Sequence, residues 1–67
     1  MTFSKIVQAV MREYQLTPHD LHHRFALPEE TVQGWIEGTA VPERKTLEDF
    51  SAMFAIPIDV LEKSLPR

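Results

Sequence analysis

Residues 16–38 read LTPHDLHHRFALPEETVQGWIEG, and the punctuation of this stretch decides the architecture. Thr17 is placed to cap a helix, Pro18 suits the first helical position, and Asp20 sits at the third. Leu16 and Leu21 flank that start at the spacing of a hydrophobic staple. The helix so begun is short and ends near Phe25. Another begins at Pro28 and stops at Gly38, the residue type that accepts the left-handed conformation beyond a helix end. Thr31, Val32 and Trp35 then share the face that turns back on the preceding helix. Residues 17–38 are thus two helices meeting at a three-residue corner.

Outward from this unit the pattern stays helical, with no sustained period-two alternation. Phe3, Ile6, Val7, Val10, Met11 and Tyr14 recur at helical spacing and form one apolar stripe. After TAVP, a fourth helix carries Leu47, Phe50, Met53 and Phe54 on one side. A last short helix after Pro57 offers Ile58, Leu61 and Leu65. FALP at 25–28 is echoed by FAIP at 54–57, and both mark similar corners between helices. The expectation is an all-α, compact five-helix bundle, a single domain over 1–67, with a helix-turn-helix at about 17–38. The closing KSLPR fits either a terminus or the start of a linker.

Sixty-seven residues bury only roughly 60% of the surface the unfolded chain exposes, so stability is narrow and partners matter. Hydrophobic residues at 43% and charged residues at 25% are ordinary globular values. Without cysteine, disulfides and thiolate metal sites are excluded. No apolar run reaches the ~18 residues of a membrane helix, and MTFSKIVQAV has no secretory leader pattern. A cytoplasmic location with no membrane partner is expected. The formal net charge of −3 argues against a nucleic-acid partner, whose phosphates usually meet a basic excess. A local patch can nonetheless differ from the mean.

The stretch LTPHDLHHRFALPEETVQGWIEGTAVPERKTLEDFSAMFAIPIDVL resembles the Cro-type and phage-repressor-type (lambda-repressor-like) helix-turn-helix domain of bacterial and phage regulators. The apolar framework of that family is matched at Leu16, Leu21, Phe25, Leu27, Val32 and Trp35. The spacing from Gly38 to Pro42, and on to Thr46, Leu47, Phe50 and Ile56, matches as well. The resemblance implies that helix 28–38 enters the major groove of double-stranded DNA. It places Glu29, Glu30, Gln33 and Gly34 at the base edges. Gln33 can pair with adenine, and a glutamate can accept from cytosine N4. The phosphate contacts it implies are Thr17, His19, Thr39, Arg44 and Lys45, with Arg44 and Lys45 the strongest.

The departures from the family are informative. A helix-start glutamine that often holds a phosphate is replaced by Pro18, and the usually basic loop is neutral at Thr39 and Ala40. Corners often built on glycine carry Gln15, Ala26 and Ala55, each costing about 1–2 kcal/mol if left-handed. His22 stands where a small residue usually packs. An arginine–glutamate pair of the family is replaced by Met11 and Ile36, which are expected to meet in the core.

Several residues have plain structural readings. Glu29 and Glu30 oppose the dipole of their helix, Trp35 is a core residue, as are Phe50, Met53 and Phe54, and Glu48–Asp49 is a solvated face. His19, His22 and His23 invite a metal reading, because positions i and i+4 on a helix can share an ion, but no third ligand at a familiar spacing is evident beyond Asp20. The three histidines are therefore read as solvated or interfacial, with no metal and no cofactor. No nucleophile motif or phosphate loop points to catalysis, so the chain is not read as an enzyme.

Two functions follow. One is a sequence-specific DNA-binding transcriptional regulator, working as a homodimer through the C-terminal helix, with Leu61 and Leu65 at its surface. The other is a helix-turn-helix turned to binding a protein partner, its acidic PEE edge meeting a basic surface.

Overall fold

Residues 2–65 are described by a computed structural model. Each helix boundary follows from local chemistry. Thr2 caps α1 (Phe3–Tyr14) by accepting the N–H of Lys5. Thr17 and Asp20 form a reciprocal capping box at the start of α2 (Pro18–Phe25), with Pro18 in the first turn as expected. Pro28 precedes α3 (Glu29–Glu37), which Gly38 ends at φ 82°. α4 (Arg44–Phe54) and α5 (Ile58–Ser64) complete the chain, and no strand occurs among the described residues.

Three corners are made without glycine. Gln15, Ala26 and Ala55 adopt φ of 55°, 54° and 55°, so all three are left-handed and the cost attached to that conformation applies to each. In each, the next N–H reaches back to an orphan helix carbonyl: Leu16 to Met11 at 2.8 Å, Leu27 to His22 at 3.1 Å, Ile56 to Ser51 at 3.1 Å. FALP and FAIP correspond down to their side chains. His22 Nδ1 lies 3.1 Å from the carbonyl of Leu27, and Ser51 Oγ donates to the carbonyl of Ile56. Both residues stand five before the carbonyl they hold.

α3 packs against α2 and α1, while α4 packs on α5. Trp35 and Phe50 are fully buried with Val7, Leu21, Val32, Leu47 and Leu61. Phe50 reaches two other helices, with ring centroids 5.4 Å from Phe3 and 5.8 Å from Phe25, and lies 4.8 Å from Phe54 of its own helix. Trp35 meets Phe3 and Phe25 edge-on. At the α1–α3 contact, Ser4 and Gln8 both donate to the carbonyl of Ile36, which the end of α3 leaves without a helical partner. Met11 and Ile36 lie partly buried against this core.

Three sequence expectations are corrected. Met53 is exposed, because a residue three beyond Phe50 and one before Phe54 falls about a quarter turn off the line through Leu47, Phe50 and Phe54. Tyr14 is half exposed and only edges Phe54, at 5.2 Å. Leu61 is fully buried in the monomer and so offers no dimer surface, while Leu65 is half-buried against the core. The apolar residue that α5 leaves outside is Val60. Of KSLPR, only residues 63–65 lie among those described.

Ala55→Gly and Ala26→Gly are each expected to stabilise the fold by about 0.5–1 kcal/mol, the left-handed penalty less the chain entropy glycine adds. Urea unfolding of the single and double variants measures this, and the two effects should add.

The capping box makes α2 acid-sensitive. The N–H and then the hydroxyl of Thr17 hold the Asp20 carboxyl below its ordinary 3.8. A depressed folded value contributes stability that is present above the unfolded value and lost as pH falls through the folded one. Amide shifts of Thr17 and Asp20 should therefore move together below pH 3.8, and Asp20→Asn should abolish that transition.

Candidate nucleic-acid interface

The α2–α3 corner sorts α3 into two edges. Val32 and Trp35 face inward, while Glu29, Glu30, Gln33 and Glu37 are exposed. With Gly34 and Thr39 these exposed residues line one shallow groove. Glu29 and Glu30 occupy the first turn of α3, where they oppose its dipole, and no side chain caps the helix. Gln33 is tethered: its Nε2 donates to Glu37 Oε2 at 3.0 Å. Sequence reading missed Glu37. Its spacing of four from Gln33 on a helix was the available signal.

Gly34 is buried, and the reading role expected for it gives way to a packing one. A Cβ there would stand 2.8 Å from the Cβ of Ala40 and 3.4 Å from Thr39 Oγ1. The N–H groups of Thr39 and Ala40 both donate to the Gly34 carbonyl, at 2.9 and 3.2 Å. Glycine at 34 lets residues 39–40 close over the end of α3.

Most of the expected phosphate contacts are engaged inside the molecule. The Thr17 hydroxyl donates to Asp20 Oδ2 and accepts the N–H of Asp20, each at 3.1 Å, which leaves it no free hydrogen for a phosphate. Arg44 Nε donates to Glu48 at 3.1 Å and Nη1 to Glu62 at 2.9 Å. Those two carboxylates raise the guanidinium above its ordinary value. Both pairs are exposed and individually weak, yet their charges cancel the cation a phosphate would need. Glu62 lies on α5, and nothing local in the sequence announces that pairing. Thr39 borders the groove, and Lys45 is exposed and makes no ion pair among the described residues.

His19, by contrast, has close company. His22 Nε2 lies 3.3 Å from His19 Nδ1, and His23 Nε2 lies 3.2 Å from His19 Nε2. Glu29 Oε1 crosses the corner to within 4.0 Å of His19 Nδ1 and 3.8 Å of His22 Nε2. The sequence named all three histidines but offered no further ligand beyond Asp20; the carboxylate that the fold brings to them is Glu29, from the next helix. The start of α2 and the start of α3 thus form one continuous polar surface.

No protein-family model, curated protein or solved structure matches this chain. No helix among the described residues is long and apolar enough to cross a membrane.

Gly34→Ala is expected to destabilise the domain by about 1–3 kcal/mol, since the atom it meets is the Cβ of Ala40 and cannot rotate away. The urea midpoint of the variant against the parent measures it.

Proposed function

We propose that this chain is a DNA-binding transcriptional regulator of the Cro and phage-repressor helix-turn-helix type. In this reading α2 and α3 are the unit and α3 lies in the major groove of double-stranded DNA. The observation that supports it most is the division of α3: Val32 and Trp35 anchor one edge in the core, and Glu29, Glu30 and Gln33 are exposed on the other. Gln33 reads adenine once its amide leaves Glu37, and Glu29 or Glu30 accepts from cytosine N4. Lys45 and the N–H groups at helix starts supply the phosphate contacts, Arg44 joining only when it exchanges Glu48 and Glu62 for a phosphate. With so few cations the electrostatic share of affinity is small.

A two-fold partner would meet the groove between α1 and α5, where Val60 is exposed beside Ile6, Val10 and Ile56. Two reading helices would then stand about 34 Å apart, one turn of duplex.

The acidity of the groove favours a second reading. Glu29, Glu30 and Glu37 surround Gln33 while Arg44 is neutralised, an arrangement suited to a basic protein segment.

Titration of a mixed-sequence duplex library at two salt concentrations, followed through amide shifts, separates the two. DNA binding gives movement at Gln33, Thr39 and Lys45 and a shallow negative slope of log affinity against log salt. No movement at low salt overturns it. Under the second reading, Glu29→Lys with Glu30→Lys abolishes a protein complex while leaving the fold intact.

A further inference from the structure

The histidine cluster at the start of α2 carries chemistry that neither functional reading uses. One ligand nitrogen from each of His19, His22 and His23 lies within 4.8 Å of the other two. His19 Nδ1 lies 3.3 Å from His22 and its Nε2 lies 3.2 Å from His23, so a single ion takes one of these spacings as it stands and the other once the His19 ring turns. A tetrahedral zinc ion at its usual ~2.0–2.1 Å from imidazole nitrogens sets neighbouring nitrogens about 3.3 Å apart. The helix produces this convergence by itself: residues spaced 0, +3 and +4 share one face.

The role of His22 is constrained by the corner. A backbone carbonyl only accepts, so the contact of Nδ1 with the Leu27 carbonyl at 3.1 Å places a proton on Nδ1. In the neutral ring, Nε2 is then a bare lone pair, directed toward His19 and Glu29. Donation of the remote N–H to a backbone carbonyl is the arrangement that orients metal-binding histidines. At the equivalent corner Ser51 performs the same locking with a hydroxyl. Locking therefore needs a donor, and histidine adds a second nitrogen aimed outward.

A chain of protons from His23 to His19 to His22 could satisfy the three rings alone. It leaves the Glu29 carboxylate, 3.8 and 4.0 Å from two of their nitrogens, facing the cluster without a hydrogen bond from it. A cation at the centre answers all four groups together. Imidazole with one carboxylate suits zinc better than the hard, all-oxygen demand of magnesium or calcium.

We propose that His19, His22, His23 and Glu29 form a binding site for a divalent transition-metal ion of the zinc class. His22 ligates through Nε2. His19 is exposed and presents one nitrogen to each neighbouring histidine, so rotation of its ring selects the ligating atom. Glu29 closes the shell from α3 and ties the start of that helix to α2. Bound metal also brings two positive charges to an edge that holds Glu29, Glu30 and Glu37. The site stands whether the partner of that edge is DNA or protein.

The test uses the full chain free of any added histidine tag. Zn2+ is titrated by calorimetry, and Co2+ is added to read coordination from its visible absorption. One saturable equivalent is expected, with tetrahedral cobalt bands and perturbed ring resonances of all three histidines. His19→Ala and His23→Ala replace exposed rings and leave the corner intact, so their helical circular dichroism should match the parent. Each should weaken Zn2+ binding at least about tenfold, and Glu29→Gln should do so by a comparable factor. Absence of a saturable equivalent, or unchanged affinity in both histidine variants, overturns the site. Unchanged affinity in Glu29→Gln overturns the part given to the carboxylate.

Discussion

The direction in which the chain leaves α2 governs the rest of the molecule. Ala26 in the left-handed conformation ends that helix, the N–H of Leu27 returns to the carbonyl of His22, and the ring of His22 holds the carbonyl of Leu27. Pro28 then excludes helix continuation at residue 27, because the residue before a proline is driven from helical backbone. α3 starts again on a new line. That one turn puts Trp35 against Phe3 and Phe25, and it carries Glu29 back beside His19 and His22. Core and polar surface are two consequences of the same corner.

Three left-handed non-glycine residues are an unusual load for so short a chain. At roughly 1–2 kcal/mol each, they amount to a sizeable fraction of what a small domain retains. The aromatic core supplies the compensation. Phe50 joins α1, α2 and α4 through ring contacts, and Trp35 adds α3 to the same cluster. Each such pair contributes about 0.5–1.5 kcal/mol beyond its burial. Trp35 Nε1 is buried without a hydrogen-bond partner among the described residues, so the ring is held by packing alone. The corners are tolerated because helices of only seven to twelve residues would not persist apart from this cluster.

The polar surface combines excess negative charge with cations engaged elsewhere. Arg44 serves the α4–α5 contact through Glu62, and Thr17 serves the capping box. What remains outward on α3 is acidic except for Gln33. A duplex approaching that edge must overcome carboxylate repulsion, whereas a basic peptide or a bound cation is drawn to it. Glu29 lies 3.8 and 4.0 Å from nitrogens of His22 and His19, which is the physical link between the helix start at 18 and the acidic edge at 29.

Helix number, the cap at Thr17, the stop at Gly38 and the positions of the corners at 15, 26 and 55 were legible in the chain, because caps and turns are decided by residues within four or five positions of one another. The apolar framework was legible for the same reason, through its period; Met53 and Tyr14 were misplaced where the stripe was drawn too wide. Which polar side chains remain free was not legible. Glu62 reaches Arg44 from another helix, Ala40 fills the space that Gly34 leaves, and Leu61 disappears into the core instead of facing a second subunit. His19, His22 and His23 already share one face of α2, but Glu29 reaches them only through the corner. Sequence determined the segments, their ends and the local side-chain pairs along each helix; packing decided that Glu62 reaches Arg44 and that Glu29 reaches the histidines, since these residues are brought close by the fold and not by the chain.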